Sequence, residues 1–129
     1  MKKSNKINIC AYGTLRLNLS NSHLVDIQGE TRYLGRGKKK KKYTLRANGI
    51  PYVSKVPLTE IVVDIWEIDV DKHLPRVDSL EGHPDWYKRE EIDCILDSGE
   101  EVKGWLYFME SSAPIIESGD YKIYRNVAN

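Results

Sequence analysis

The chain has 129 residues, with 20 basic against 19 acidic side chains and a formal net charge of +1. This length suits one domain, 1–129, around one hydrophobic core, and no Pro-, Gly- or Ser-biased stretch divides it. Balanced charge excludes a global field drawing the molecule onto nucleic acid or an anionic membrane, and no apolar run reaches the ~18 residues of a membrane span.

The opening MKKSNK is basic. The apolar stretch after it, Ile7 to Ala11, is too short and too interrupted by Asn8 for a signal-peptide core, so a cytoplasmic location is expected. Ile7 to Tyr12 reads as a first strand that ends abruptly at Gly13. Leu15, Leu17 and Leu19, then His23 to Ile27, are poorly periodic and fit a short helix capped by Ser20, Asn21 or Ser22. Thr31 to Leu34 and Tyr43 to Ala47 read as two strands separated by GRGKKKKK, and Asn48-Gly49 is a turn dipeptide before Ile50 to Val53. Pro51 argues for an edge or an irregularity there.

Ile61 to Ile68 is apolar on both alternating faces, as expected of a central strand covered on both sides. Val70, Leu74, Val77 and Leu80 then recur at helical spacing, with Asp69 or Asp71 as N-cap, Pro75 in the first turn and Gly82 as the left-handed stop. Tyr87 to Leu96 and Val102 to Met109 form a hairpin across Asp97-Ser98-Gly99-Glu100. A Gly119-Asp120 turn precedes Tyr121 to Tyr124. The total, seven or eight short strands with one or two short helices, predicts an α+β domain built on a mixed, curled sheet or partial β-barrel. Cys10 and Cys94 lie in strand-like apolar runs, which favours buried thiols over a disulfide between them.

Two stretches invite chemistry. Tyr12-Gly13-Thr14-Leu15-Arg16 leaves the first strand at a glycine, and the N–H groups of such a turn can converge on a carboxylate or phosphate; an ordinary strand-ending turn reads the same way. Glu81 closes a helix at the terminus where a negative charge is least favoured. That position, and any burial, raises its pKa and makes it a stronger proton acceptor, although exposed glutamates at helix ends are common.

Taken in order, Tyr12-Gly13-Thr14-Leu15-Arg16, Asp78-Ser79-Leu80-Glu81-Gly82, Tyr87-Lys88-Arg89 and Ser118-Gly119-Asp120-Tyr121 resemble the γ-glutamylcyclotransferase superfamily, in particular its AIG2-like, γ-glutamylamine cyclotransferase branch. The resemblance implies a γ-glutamylcyclotransferase-like fold and a cofactor-free, metal-free reaction. In it the substrate's α-amine attacks its own γ-carbonyl and releases 5-oxoproline and an amine. It implies Glu81 as general acid and base, with Tyr12, Gly13, Thr14 and Leu15 at a small γ-glutamyl substrate; by their places in the sequence, Arg16 beside that turn, Tyr87 near Glu81 and Tyr121 after the Gly119-Asp120 turn are further candidates for the same site. The chain departs from the family at Val63 or Asp64, where glycine is frequent, and in its lysine run.

Outside these motifs, Lys38, Lys39, Lys40, Lys41 and Lys42 read first as a solvated loop or hairpin tip, and as the lesser alternative a patch contacting nucleic acid or another polyanion. His23, His73 and His83 lack zinc-ligand spacing with the cysteines. Trp66, Trp86 and Trp105 are expected in the core or in pocket walls, with Trp86 and Tyr87 nearest Glu81. A non-catalytic module holding a small anionic ligand on the same fold is the rival reading.

Overall fold

The computed structural model describes residues 5–126; the basic Met1 to Ser4 lies outside the described residues. Five strands, β1 (Lys6–Ala11), β2 (Arg32–Asn48), β3 (Ile50–Asp69), β4 (Lys88–Leu96) and β5 (Glu101–Phe108), close into a ring in the order β1-β3-β2-β4-β5. Neighbours are antiparallel except β1 and β5, which meet in parallel at Ile9 and Trp105. The ring has two thin seams, that one and the β2–β4 pairing of Gly37 with Leu96 and Lys38 with Ile95, so it is not a regular barrel.

The strand count differs from expectation because the lysine block does not interrupt the sheet. β2 runs straight through GRGKKKKK. Lys38 and Lys39 pair with Val62 and Ile61, and the register then slips between Lys39 and Tyr43. That bulge absorbs Lys40, Lys41 and Lys42 and leaves all three exposed, so β2 keeps its backbone partners without burying an ammonium group. Likewise β3 is one 20-residue strand, paired with β2 along one edge and with β1 along the other, rather than two short ones. Pro51 lies inside β3, paired with Ala47 beside the Gly49 turn.

Helix α1 (Leu74–Glu81) buries Leu74 and Val77, with Pro75 in its first turn. His73 takes the N-cap position without a side-chain cap, while the Asp69 carboxylate accepts from the N–H groups of Asp71 and Lys72 in the preceding turn. The region expected as a helix after Leu15 holds a single 3-10 turn, Ser22–Leu24. Tyr121–Tyr124 forms a short helix, α2, because the Asp120 side chain caps it by accepting from the N–H of Lys122 and Ile123.

The ring encloses a core that includes Leu45, Val53, Ile61, Val63, Ile65 and Leu106, all fully buried. Cys10 and Cys94 are buried free thiols whose sulfurs lie 3.7 Å apart. A second cluster, centred on Trp66 and Ile68, holds α1 against the outside of the ring through Leu74 and Val77.

Candidate active site

β1 ends at Ala11, and the chain turns away from the sheet over Tyr12 to Leu19, with the N–H of Arg16 on Gly13 O at 3.0 Å and that of Leu19 on Arg16 O at 2.9 Å. Asn21 ties the turn from the other side, with its N–H on Thr14 O and its amide on Thr14 Oγ1. Among the described residues, the N–H groups of Gly13, Thr14 and Leu15 meet no acceptor. Three such donors in succession suit an anion. A side chain on Gly13 would begin 2.8 Å from Pro51 Cγ, so its absence lets the β2–β3 hairpin tip close over the turn.

Opposite lies the end of α1. The N–H groups of His83 and Gly82 bond to Asp78 O and Ser79 O, the paired bonds of a Schellman motif, and Gly82 takes the left-handed conformation at φ 65° that glycine adopts without penalty. The Glu81 carbonyl, left free by this ending, accepts from Tyr87 N–H at 3.2 Å, which brings the start of β4 beside the helix terminus.

Between turn and helix end is a cavity of about 510 Å³. It is lined by Tyr12, Gly13, Thr14, Leu15, Glu81, Tyr87 and Tyr121 among the residues expected at a site. Its walls are mostly aromatic and apolar. Glu81 is partly buried there, and burial first, then the charge of Asp78 one helical turn earlier, raises its carboxyl to about 7. Burial opposes the Asp78 charge too, but Arg89 (2.9 and 3.2 Å) and the Tyr107 hydroxyl (2.5 Å) donate to it and hold its carboxyl below the ordinary range. The site therefore pairs a carboxylate that stays ionised with one that exchanges a proton near neutrality, the condition a general acid–base requires.

The tyrosines are walls rather than free donors. Tyr12, Tyr87 and Tyr121 spend their hydroxyl protons on the carbonyls of Tyr107, Pro51 and Gly49, at 2.8, 2.8 and 2.7 Å. Trp86 lines the cavity beside Tyr87, as expected, whereas Trp66 is core.

Arg16 is the exception among the expected site residues. It is only 1% exposed and lies outside the cavity lining. Its guanidinium bonds to Asp64 at 3.1 Å and Asp120 at 2.6 Å, and Asp64 also accepts from Leu17 N–H and the Tyr33 hydroxyl. Lys122 approaches Asp64 at 3.9 Å, so two buried cations face two buried carboxylates. The side chain after the turn points back into the fold because a guanidinium entering so enclosed a space needs such partners. Asp64 belongs to this network and not to the cavity.

Other lining residues carried no local signal. Asn21 read as a helix cap, Asn48-Gly49 as a hairpin turn and Tyr107 as a strand residue, yet Asn21, Gly49 to Tyr52, Tyr107, Met109 and Arg125 all face the cavity.

Known proteins resemble this chain in sequence and in fold. Residues 9–123 match the family model described as gamma-glutamyl cyclotransferase, AIG2-like. A protein of Methanocaldococcus jannaschii, provisionally named a gamma-glutamylcyclotransferase, is 44% identical over 119 residues, covering 91% of this chain and 97% of its own. A Drosophila melanogaster protein with the same provisional name is 31% identical over 110 residues, covering 80% and 69%. The crystal structure of a mouse AIG2-like protein superposes with a TM-score of 0.77 at 22% identity, covering 95% of this chain and 94% of that one.

Proposed function

The chain belongs to the AIG2-like γ-glutamyl cyclotransferase family and is an enzyme of that type, and on that premise we propose that it cleaves a γ-glutamyl amine or small γ-glutamyl peptide, with Glu81 moving the proton. The substrate's α-amine attacks its own γ-carbonyl carbon. The new C–N bond closes the five-membered ring of 5-oxoproline as the bond to the amine breaks. Two protons leave the α-ammonium, the first to Glu81 before attack and the second from the ring nitrogen after closure, and the departing nitrogen takes up two, one of them from Glu81, to leave as an ammonium, so the reaction consumes no water and needs no other reactant.

The observation that carries this reading is the shared cavity: a carboxyl raised to about 7 lines it together with a turn whose three successive N–H donors meet no acceptor among the described residues. Those donors hold the substrate's carboxylate or the developing oxyanion. Aromatic walls fold the chain back on itself, supplying the proximity that intramolecular ring closure depends on. A base near neutrality takes the ammonium proton without holding it too tightly to return.

The test is release of 5-oxoproline from γ-glutamyl amides across pH. Glu81 is the acceptor only when ionised, and its folded pKa is raised, so kcat/KM rises about tenfold per pH unit below ~7 and levels off above it. A profile flat from pH 5.5 to 8 would remove this group from the mechanism. Gly13→Ala, whose methyl would press on Pro51, displaces the hairpin tip from the turn. A shift of about 1 Å at such a site costs on the order of 10²-fold, and the same assay measures it.

A further inference from the structure

Three apolar residues at the cavity, Ile50, Leu80 and Trp86, are 59%, 41% and 69% exposed. Single exposed apolar side chains are ordinary on any surface, but a cluster on the rim of a pocket marks a place that something apolar covers. Here the fold holds the rim in place. Gly49, next to Ile50 at the hairpin tip, donates its N–H to the Tyr124 hydroxyl at 2.8 Å and accepts from the Tyr121 hydroxyl at 2.7 Å, so α2 pins the tip from both sides. Trp86 donates its N–H to Gly82 O at 2.8 Å, and its Cβ and Cγ lie 3.1 and 3.2 Å from where a Gly82 side chain would begin. Leu80 precedes Glu81 on the last turn of α1.

Charge is scarce on the same lining. Among the described residues, its Asp, Glu, Lys and Arg side chains are Glu81 and Arg125 alone. Arg125 is engaged with the wall, donating to the Tyr121 hydroxyl at 2.9 Å and lying 5.5 Å over its ring. With the γ-glutamyl half at the Gly13 turn and the scissile nitrogen beside Glu81, the amine half projects to the rim. Resting on the cyclotransferase reading above, we propose that the leaving amine is apolar and extended, and that Ile50, Leu80 and Trp86 form its subsite.

Turnover of L-γ-glutamyl ethylamide, butylamide and hexylamide, and of γ-glutamylglycine, by the full chain tests this. The expected kcat/KM rises about two- to fourfold per added methylene. Trp86→Ala and Ile50→Ser, shown to be folded by circular dichroism, each lower the hexylamide-to-ethylamide ratio by about fivefold or more. A series flat in chain length overturns the subsite while leaving the cyclotransferase reading intact. So does preference for γ-glutamylglycine that disappears in Arg125→Ala, which would assign the rim to a carboxylate. If no member yields 5-oxoproline, the cyclotransferase reading fails by itself, and titration of the same amides decides the subsite: affinity rising with chain length sustains it, and affinity independent of length or absent overturns it.

Discussion

Glu81→Gln is expected to lower 5-oxoproline release by about 10²–10⁴-fold, the range that positioned acid–base catalysis supplies, while substrate binding persists. Glutamine keeps the shape and the hydrogen-bonding ends of the side chain but accepts no proton at neutral pH. Attack by the α-nitrogen then lacks its base, and the departing nitrogen lacks its acid. Unchanged turnover would remove Glu81 from the chemistry, and wild-type protein that binds γ-glutamyl ligands without forming product would instead support the non-catalytic module.

The same substitution carries a stability signature. The folded carboxyl titrates at about 7, above its ordinary value of 4.5, so between those two pH values the unfolded chain releases a proton that the folded chain retains. Ionisation there favours unfolding. The penalty is absent below pH 4, grows as pH rises and is complete above about 7, where it is on the order of 3 kcal/mol. Glu81→Gln is therefore expected to raise Tm at pH 8 and to leave it unchanged at pH 4, as thermal unfolding at the two pH values measures. A variant that gains stability as it loses turnover separates a catalytic carboxylate from a structural one.

The second large effect is expected at Arg16→Ala: a loss of about 3–5 kcal/mol, lowering Tm by more than about 10 °C. Arg16 holds Asp64 and Asp120 together where Arg16 itself, Asp64 and Asp120 are 1%, 2% and 4% exposed. Without it the Asp120 side chain keeps its helix-capping bonds and little else, and Asp64 keeps only the more distant Lys122 as a cation among the described residues. The network joins the turn after β1, the middle of β3 and α2, so all three loosen together. Denaturant or thermal unfolding measures the loss. A raised KM with an unchanged Tm would place Arg16 at the substrate instead.

What could be read in the sequence was what local chemistry fixes. The Gly13 exit from β1, the Asn48-Gly49 hairpin, the Gly82 stop and the central character of Ile61 to Ile68 each follow from backbone freedom or from alternation within a few residues. The lysine run misled because five like charges in succession suit a loop when considered locally. In the fold, β3 and β4 supply backbone partners to Lys38, β3 continues to Lys39, and a bulge sends the next three ammonium groups to water. Tyr121 to Tyr124 became helical through one capping carboxylate, Asp120, which the Arg16 network anchors.

By itself the sequence determined the turn, the helix stop and the carboxylate at position 81, because each resides in contiguous residues, and the family resemblance, because it needs only the order of such short stretches along the chain. Only the tertiary structure decided which side chains share the cavity. It turned Arg16 inward to two carboxylates distant in sequence, brought Pro51 against Gly13 and pinned Ile50 at the rim through tyrosines of α2. It also set the proton affinity of Glu81, since the burial that raises it most arises only when α1 and the β1 turn come to the same cavity, whereas the Asp78 charge that adds to it lies one turn away on α1 itself.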